Sequence, residues 1–203
     1  SRELADAARA LGLASAEALD HADGMLPWLD AATLEADIRA AITRVAADVV
    51  VTFGPDGLYW HPDHIAVHER TTAAVAALGD AAPALYYVTM PPGQTRRLVD
   101  HAGGSADVIP GLDPDAFGAG ALPPTLVVQA GPCAAAKLTA ILAHRSQTDS
   151  TAFAAVAEAD ADRLLGTEHY RRAAVGRAGL TFVDALGVAP DAGLAAAAES
   201  SRP

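Results

Sequence analysis

The segment GPDGLYWHPDHIAVHER, residues 54–70, carries three of the chain's seven histidines, His61, His64 and His68. Imidazole exchanges protons near neutral pH and is a frequent zinc ligand, at nitrogen–metal distances of about 2.0–2.1 Å. A hydrolytic zinc site takes three protein ligands and keeps a fourth position open for water. On a helix His64 and His68 share a face, being four apart, whereas His61 precedes that helix and can point elsewhere. Asp56, Asp63 and Glu69 bring carboxylates to the same stretch. The spacing predicts a metal site without fixing its ligands, and a site made of His61, His64 and His68 alone is one version of it. His21, His101 and His169 are scattered and read as ordinary histidines. His144 closes a helical stretch, where a cation also faces the helix dipole.

The elements around the cluster should present it at a sheet edge. DVVVTF (48–53) is β-branched and apolar without alternation, which predicts a strand buried on both faces. The glycine-flanked loop 54–61 follows, and residues 64–78 show helical spacing. Helices are also predicted at 2–11, after a Thr33 cap through Val45, at 94–100, at 133–147 and at 152–165. ALYYVTM (84–90), TLVVQA (125–130) and EHYRRA (168–173) read as further strands or extended segments. Residues 110–124 are rich in Gly and Pro and read as a loop of functional length. The tail 191–203 reads as frayed or helical. Strands separated by helices predict an α/β fold with a mainly parallel sheet. In such sheets ligands bind beyond the carboxyl ends of the strands, which puts 54–64 on the functional edge.

Composition narrows the partners. The net charge of −11 disfavours nucleic acid and anionic membrane surfaces. Cys133 is the single cysteine, so no intrachain disulfide forms. No apolar run reaches transmembrane length, and no secretory leader is read at the start, so the expected location is cytoplasmic.

The run GLYWHPDHIAVH resembles the LmbE-like, or PIG-L, zinc-dependent N-deacetylases. RELADAARALGL, DG-x-L at 23–26, DVVVTFGPDG, HPDH, KLTAILAHRSQ and LGTEHY resemble family segments in the family's order. The resemblance implies a Rossmann-like three-layer sandwich and removal of an acetyl group from an amino sugar or N-acetylglucosaminyl conjugate, with Zn2+ as cofactor. It implies His64 as a metal ligand and His61 as the group that stabilises the oxyanion or assists the leaving amine. Tyr59 would stand near the oxyanion, and Asp23 would orient His61. Asp63 would support the loop. Trp60, where the family commonly has glycine, Arg2 and His144 are candidates for substrate contact. The family's second metal motif, an HPDD-type segment supplying two ligands and the general base, does not occur in these 203 residues. Together with an opening already in helical phase, this leads to an expectation of one domain over 1–203 lacking its N-terminal strand. The missing piece would come from an N-terminal fragment, and a homo-oligomer is also possible. The competing reading is a non-catalytic scaffold or binding protein with an incomplete metal site.

Overall fold

The computed structural model of the chain describes residues 2–104, 106–179 and 196–197. Apart from 196–197, the tail read as frayed or helical lies outside the described residues. The helices are α1 (Arg2–Ala10), α2 (Ala31–Val45), α3 (Gly57–Trp60), α4 (Pro62–Ala76), α5 (Gln94–His101), α6 (Ala134–Ala143), α7 (Arg145–Thr148) and α8 (Ala161–Leu165). The strands are β1 (Val49–Phe53), β2 (Ala84–Val88), β3 (Leu126–Gln129), β4 (Thr167–Gly176) and the two-residue β5 (Ala196–Ala197). The chain divides into two compact units, each built from three separate stretches.

The first unit comprises Ser1–Asp20, Pro92–Ala119 and Val128–Glu168. Its core gathers Leu98 and Val99 of α5, Ala134 and Leu138 of α6, and Ala161 and Leu165 of α8. Helix α1 packs on α6. Glu3 accepts hydrogen bonds from the backbone N–H and the hydroxyl of Ser146, at 2.9 and 2.6 Å. The helix expected at 133–147 breaks at His144, whose ψ of 55° leaves the helical region. The stretch 152–165 is helical only from Ala161, after short 3-10 turns.

The second unit comprises His21–Pro91, Gly120–Val127 and His169–Pro203, and it holds most of the sheet. The strand order is β1-β2-β4-β3-β5. Strands β1 and β2 run parallel in register from Val49↔Ala84 to Phe53↔Val88, and β4 runs antiparallel to β2. The fold is therefore α/β as expected, but the sheet is mixed, not mainly parallel. Alternation of helices and strands does not fix the end at which a chain re-enters its sheet, and β4 enters against β2. The burial expected on both faces of 48–53 also fails, since Val51 is 42% exposed while Thr52 is buried. Strand β1 ends the strand order, and its β-branched run suits an edge as well as a centre.

Helix α2 is capped by Asp30, not Thr33. The Asp30 carboxylate accepts the Thr33 N–H at 3.0 Å, an arrangement worth about 1 kcal/mol. Helix α4 begins with Pro62 and carries Asp63 in its first turn, where φ is preset and the dipole favours a negative charge. It packs on α2, β1 and β2, and Ile42, Val75, Ala82, Leu85 and Ala173 form the unit's core.

Candidate functional site

Strand β1 delivers the chain into a turn of unusual backbone. Gly57 has φ +54°, Leu58 +67° and Trp60 +64°. Left-handed φ costs a residue with a Cβ about 1–2 kcal/mol, so Leu58 and Trp60 are both strained here. Gly57 is required twice over. Its φ favours glycine, and an added Cβ would stand 3.0 Å from Ile65 Cγ1 and 3.2 Å from His64 Cβ. The Trp60 N–H donates to the Asp56 carbonyl at 2.7 Å and closes the turn. The backbone then becomes extended at His61 and enters α4.

The turn gathers Tyr59, His61 and His64. Tyr59 stands edge-on to both imidazoles, with ring centroids 5.6 Å from His61 and 5.4 Å from His64. The two imidazoles lie 4.5 Å apart, tilted by 33°. His64 is the more firmly held. Its ring stacks on Phe53 at 3.9 Å and 3°, and its Nδ1 lies 3.1 Å from the Gly57 carbonyl. A carbonyl only accepts, so Nδ1 carries the proton and Nε2 keeps its lone pair, as metal-ligating histidines are commonly arranged. Burial pushes the His64 pKa below the ordinary imidazole value, opposed by the Gly57 hydrogen bond. His61 Nδ1 is buried without a hydrogen-bond partner among the described residues.

Two carboxylates bear on this group. Asp63, 7% exposed, accepts the Gly24 N–H at 2.7 Å and the Leu26 N–H at 3.1 Å. That ties the loop before α2 to the first turn of α4. Burial first, and then the Asp23 charge, push the Tyr59 pKa above its ordinary value. A phenol is a hydrogen-bond donor at neutral pH in any case, and the shift extends that range to more alkaline solution.

The remaining candidates are dispersed. The Trp60 indole is 59% exposed. His68 donates Nδ1–H to the Phe53 carbonyl at 2.9 Å and meets Tyr87 edge-on at 4.6 Å. Arg2 opens α1 and His144 precedes α7, both in the first unit. Phe53 as the stacking partner of His64 was not read from the sequence. The available signal was an aromatic ending the strand just before the histidine loop.

Among the described residues no three of His, Cys, Asp or Glu converge as a metal-holding group. The donor chemistry of His64 fits one zinc ligand, and the described residues do not complete a set of three. Among them no helix is long and apolar enough to cross a membrane.

Residues 1–75 match the family described as PIG-L: GlcNAc-PI de-N-acetylase. Three similar proteins carry the name 1D-myo-inositol 2-acetamido-2-deoxy-alpha-D-glucopyranoside deacetylase. That of Rhodococcus jostii is 56% identical over 52 residues, covering 26% of this chain and 18% of that protein. That of Mycolicibacterium vanbaalenii is 50% identical over 58 residues, covering 29% and 20%. That of Corynebacterium kroppenstedtii is 56% identical over 41 residues, covering 20% and 11%. The aligned segment thus spans a fifth or less of each of these relatives. The family resemblance read at the HPDH segment holds over the matched residues.

Proposed function

We propose, from the PIG-L match of residues 1–75, that this chain carries part of the active site of a zinc-dependent N-deacetylase. Its substrate class is an acetylated amino-sugar conjugate, by analogy with the name its relatives bear. The observation that carries the reading is His64, whose Nδ1–H is fixed on Gly57 and whose Nε2 is left as a donor for a metal.

His64 would contribute one ligand, with the others supplied by residues outside the described set. Zinc, when bound, polarises the acyl carbonyl and lowers the pKa of its water towards about 7. His61 hydrogen-bonds the developing oxyanion or hands a proton to the departing amine. The Tyr59 hydroxyl donates to the same oxygen, with burial first and then the Asp23 charge raising its pKa above the ordinary phenol value. The exposed Trp60 indole offers a face to a sugar ring. The reaction takes place in the cytoplasm.

The second reading, a binding protein of the same fold without catalysis, is favoured by the missing three-ligand group among the described residues. Zinc content and acetate release from 1D-myo-inositol 2-acetamido-2-deoxy-α-D-glucopyranoside separate the two. The deacetylase reading expects one zinc per chain, lost in His64→Ala. It expects His61→Ala to keep the zinc and lose roughly 100- to 1,000-fold in turnover, the scale of a removed oxyanion donor. Zinc retained by His64→Ala defeats the ligand assignment. Wild-type protein that releases no acetate, even with zinc supplied, favours the binding protein.

A further inference from the structure

The HPDH aspartate has a task that sequence reasoning left vague. Asp63 is nearly buried, and both of its oxygens are engaged by backbone amides 39 and 37 residues earlier in the chain. Its carboxylate also sits in the first turn of α4, the end of the helix where the dipole favours negative charge. No hydrogen bond joins it to His61, whose Nδ1 stays unpartnered among the described residues.

The loop it grips has few other anchors. Within residues 22–29 the backbone bonds are local, from Met25 to Ala22, Trp28 to Met25 and Leu29 to Leu26. Met25 is 51% and Trp28 79% exposed, so little apolar burial fixes this loop. Gly24 takes φ +75°, which turns its N–H towards Asp63 without Cβ strain. The residue just before it is Asp23, whose charge acts on Tyr59. We infer that Asp63 is a positioning residue, which clamps the Gly24 and Leu26 amides and thereby sets where the loop between them, with the adjoining Asp23, lies against the first turn of α4. The clamp itself is independent of the deacetylase reading; its effect on turnover rests on that reading.

Amide hydrogen exchange tests the clamp in the full chain. In the wild-type protein the Gly24 and Leu26 amides should exchange more slowly than the neighbouring Asp23 amide. In Asp63→Asn one oxygen becomes an NH2 group that cannot accept. Protection at Gly24 or Leu26 should then fall by roughly ten- to a hundred-fold, the scale of a hydrogen bond to a charged group. Amides inside α2 and α4 should keep their protection. Gly24 and Leu26 amides that exchange as fast as Asp23 in the wild type overturn the proposal, even if the variant fails to fold. Unchanged protection in Asp63→Asn overturns it as well.

Acetate release tests the route through Asp23. If Asp63 acts by placing Asp23, Asp63→Asn should lower kcat/KM in the wild-type background and have little further effect in Asp23→Asn. Losses that simply multiply reject that route. A wild-type protein without deacetylase activity would defeat the functional reading and leave the exchange result standing.

Discussion

Trp60 gives the sharpest test of the strained turn that presents His61. Its φ of +64° lies where a Cβ meets the following carbonyl, at a cost of about 1–2 kcal/mol. Replacing it by alanine and by glycine removes the same indole in both cases. The two variants then differ only by one Cβ. Glycine relieves the left-handed strain but loses about 0.4–1 kcal/mol through its freer unfolded chain. The balance makes Trp60→Gly more stable than Trp60→Ala by about 1 kcal/mol. For a chain of 203 residues that is a gap of about 2–4 °C in Tm. Elsewhere in a helix or strand the order is reversed, with alanine ahead, so the sign alone is informative. Urea unfolding of the two variants at one protein concentration measures it. Alanine equal to or above glycine would show that the backbone at 60 is not left-handed, and the direction in which His61 leaves the turn would fall with it. The same pair separates backbone from indole in function. Trp60→Gly keeps the turn and lacks the ring, so a raised KM with unchanged kcat would assign the indole to substrate binding.

Three further outcomes follow from contacts in either unit. A Cβ at Gly120 would stand 2.5 Å from Trp60 Cζ2 and 3.2 Å from Asp56 Cβ, so Gly120→Ala should cost about 1–3 kcal/mol in urea unfolding. Most of that cost should vanish in a Trp60→Gly background. Glu3 is held below its ordinary carboxylate pKa, chiefly by the Ser146 hydroxyl, so its bond is present above that value and is lost as pH falls through the lowered one. Ser146→Ala should therefore flatten the acid side of the stability curve, measured from pH 5 to 2, and an unchanged slope would refute the assignment. His68→Ala leaves the Phe53 carbonyl without its donor and should lose about 1–3 kcal/mol with zinc content unchanged. Loss of zinc in that variant would return His68 to the ligand set.

Local periodicity carried the order of elements well. The strands at β1, β2 and β3 and the helices α1, α2, α4 and α5 fall close to the ranges that apolar spacing marks out. Strand direction was not legible, because it depends on where β4 meets β2 and not on any residue within β4. The edge position of β1 was equally hidden, since VVVTF suits both an edge and a buried centre. At the site, residue types named the cluster Tyr59, His61 and His64. They did not reveal that Asp63 turns to the Gly24 and Leu26 amides, a contact across almost forty residues. Nor did they show the Asp23 charge bearing on Tyr59. Both depend on the path of the loop before α2, which has no periodic signature.

The spacing of His64 and His68 has a reason other than a shared metal. Each donates its Nδ1 proton to a main-chain carbonyl of the segment that leaves β1, His68 to Phe53 and His64 to Gly57. The acceptors are four residues apart, as the donors are, and they run in the opposite order. One turn of α4 is thereby matched to one stretch of strand exit, and the helix is stapled along the loop it follows. Thr72 extends the staple, donating to the His68 carbonyl at 2.7 Å and meeting the Tyr87 hydroxyl at 2.9 Å. The two imidazoles then part company through their ring neighbours. His68 lies against Tyr87 of β2, on the structural side. His64 lies between Phe53 and Tyr59, 4.5 Å from His61, in the ring cluster of the turn. A three-imidazole metal site would need these rings to converge on one point, whereas two of them are committed to separate carbonyls and separate neighbours. The Nδ1 bond leaves Nε2 free on both rings, so it is the ring neighbours, Phe53 and Tyr59 for His64 and Tyr87 for His68, that set the two apart.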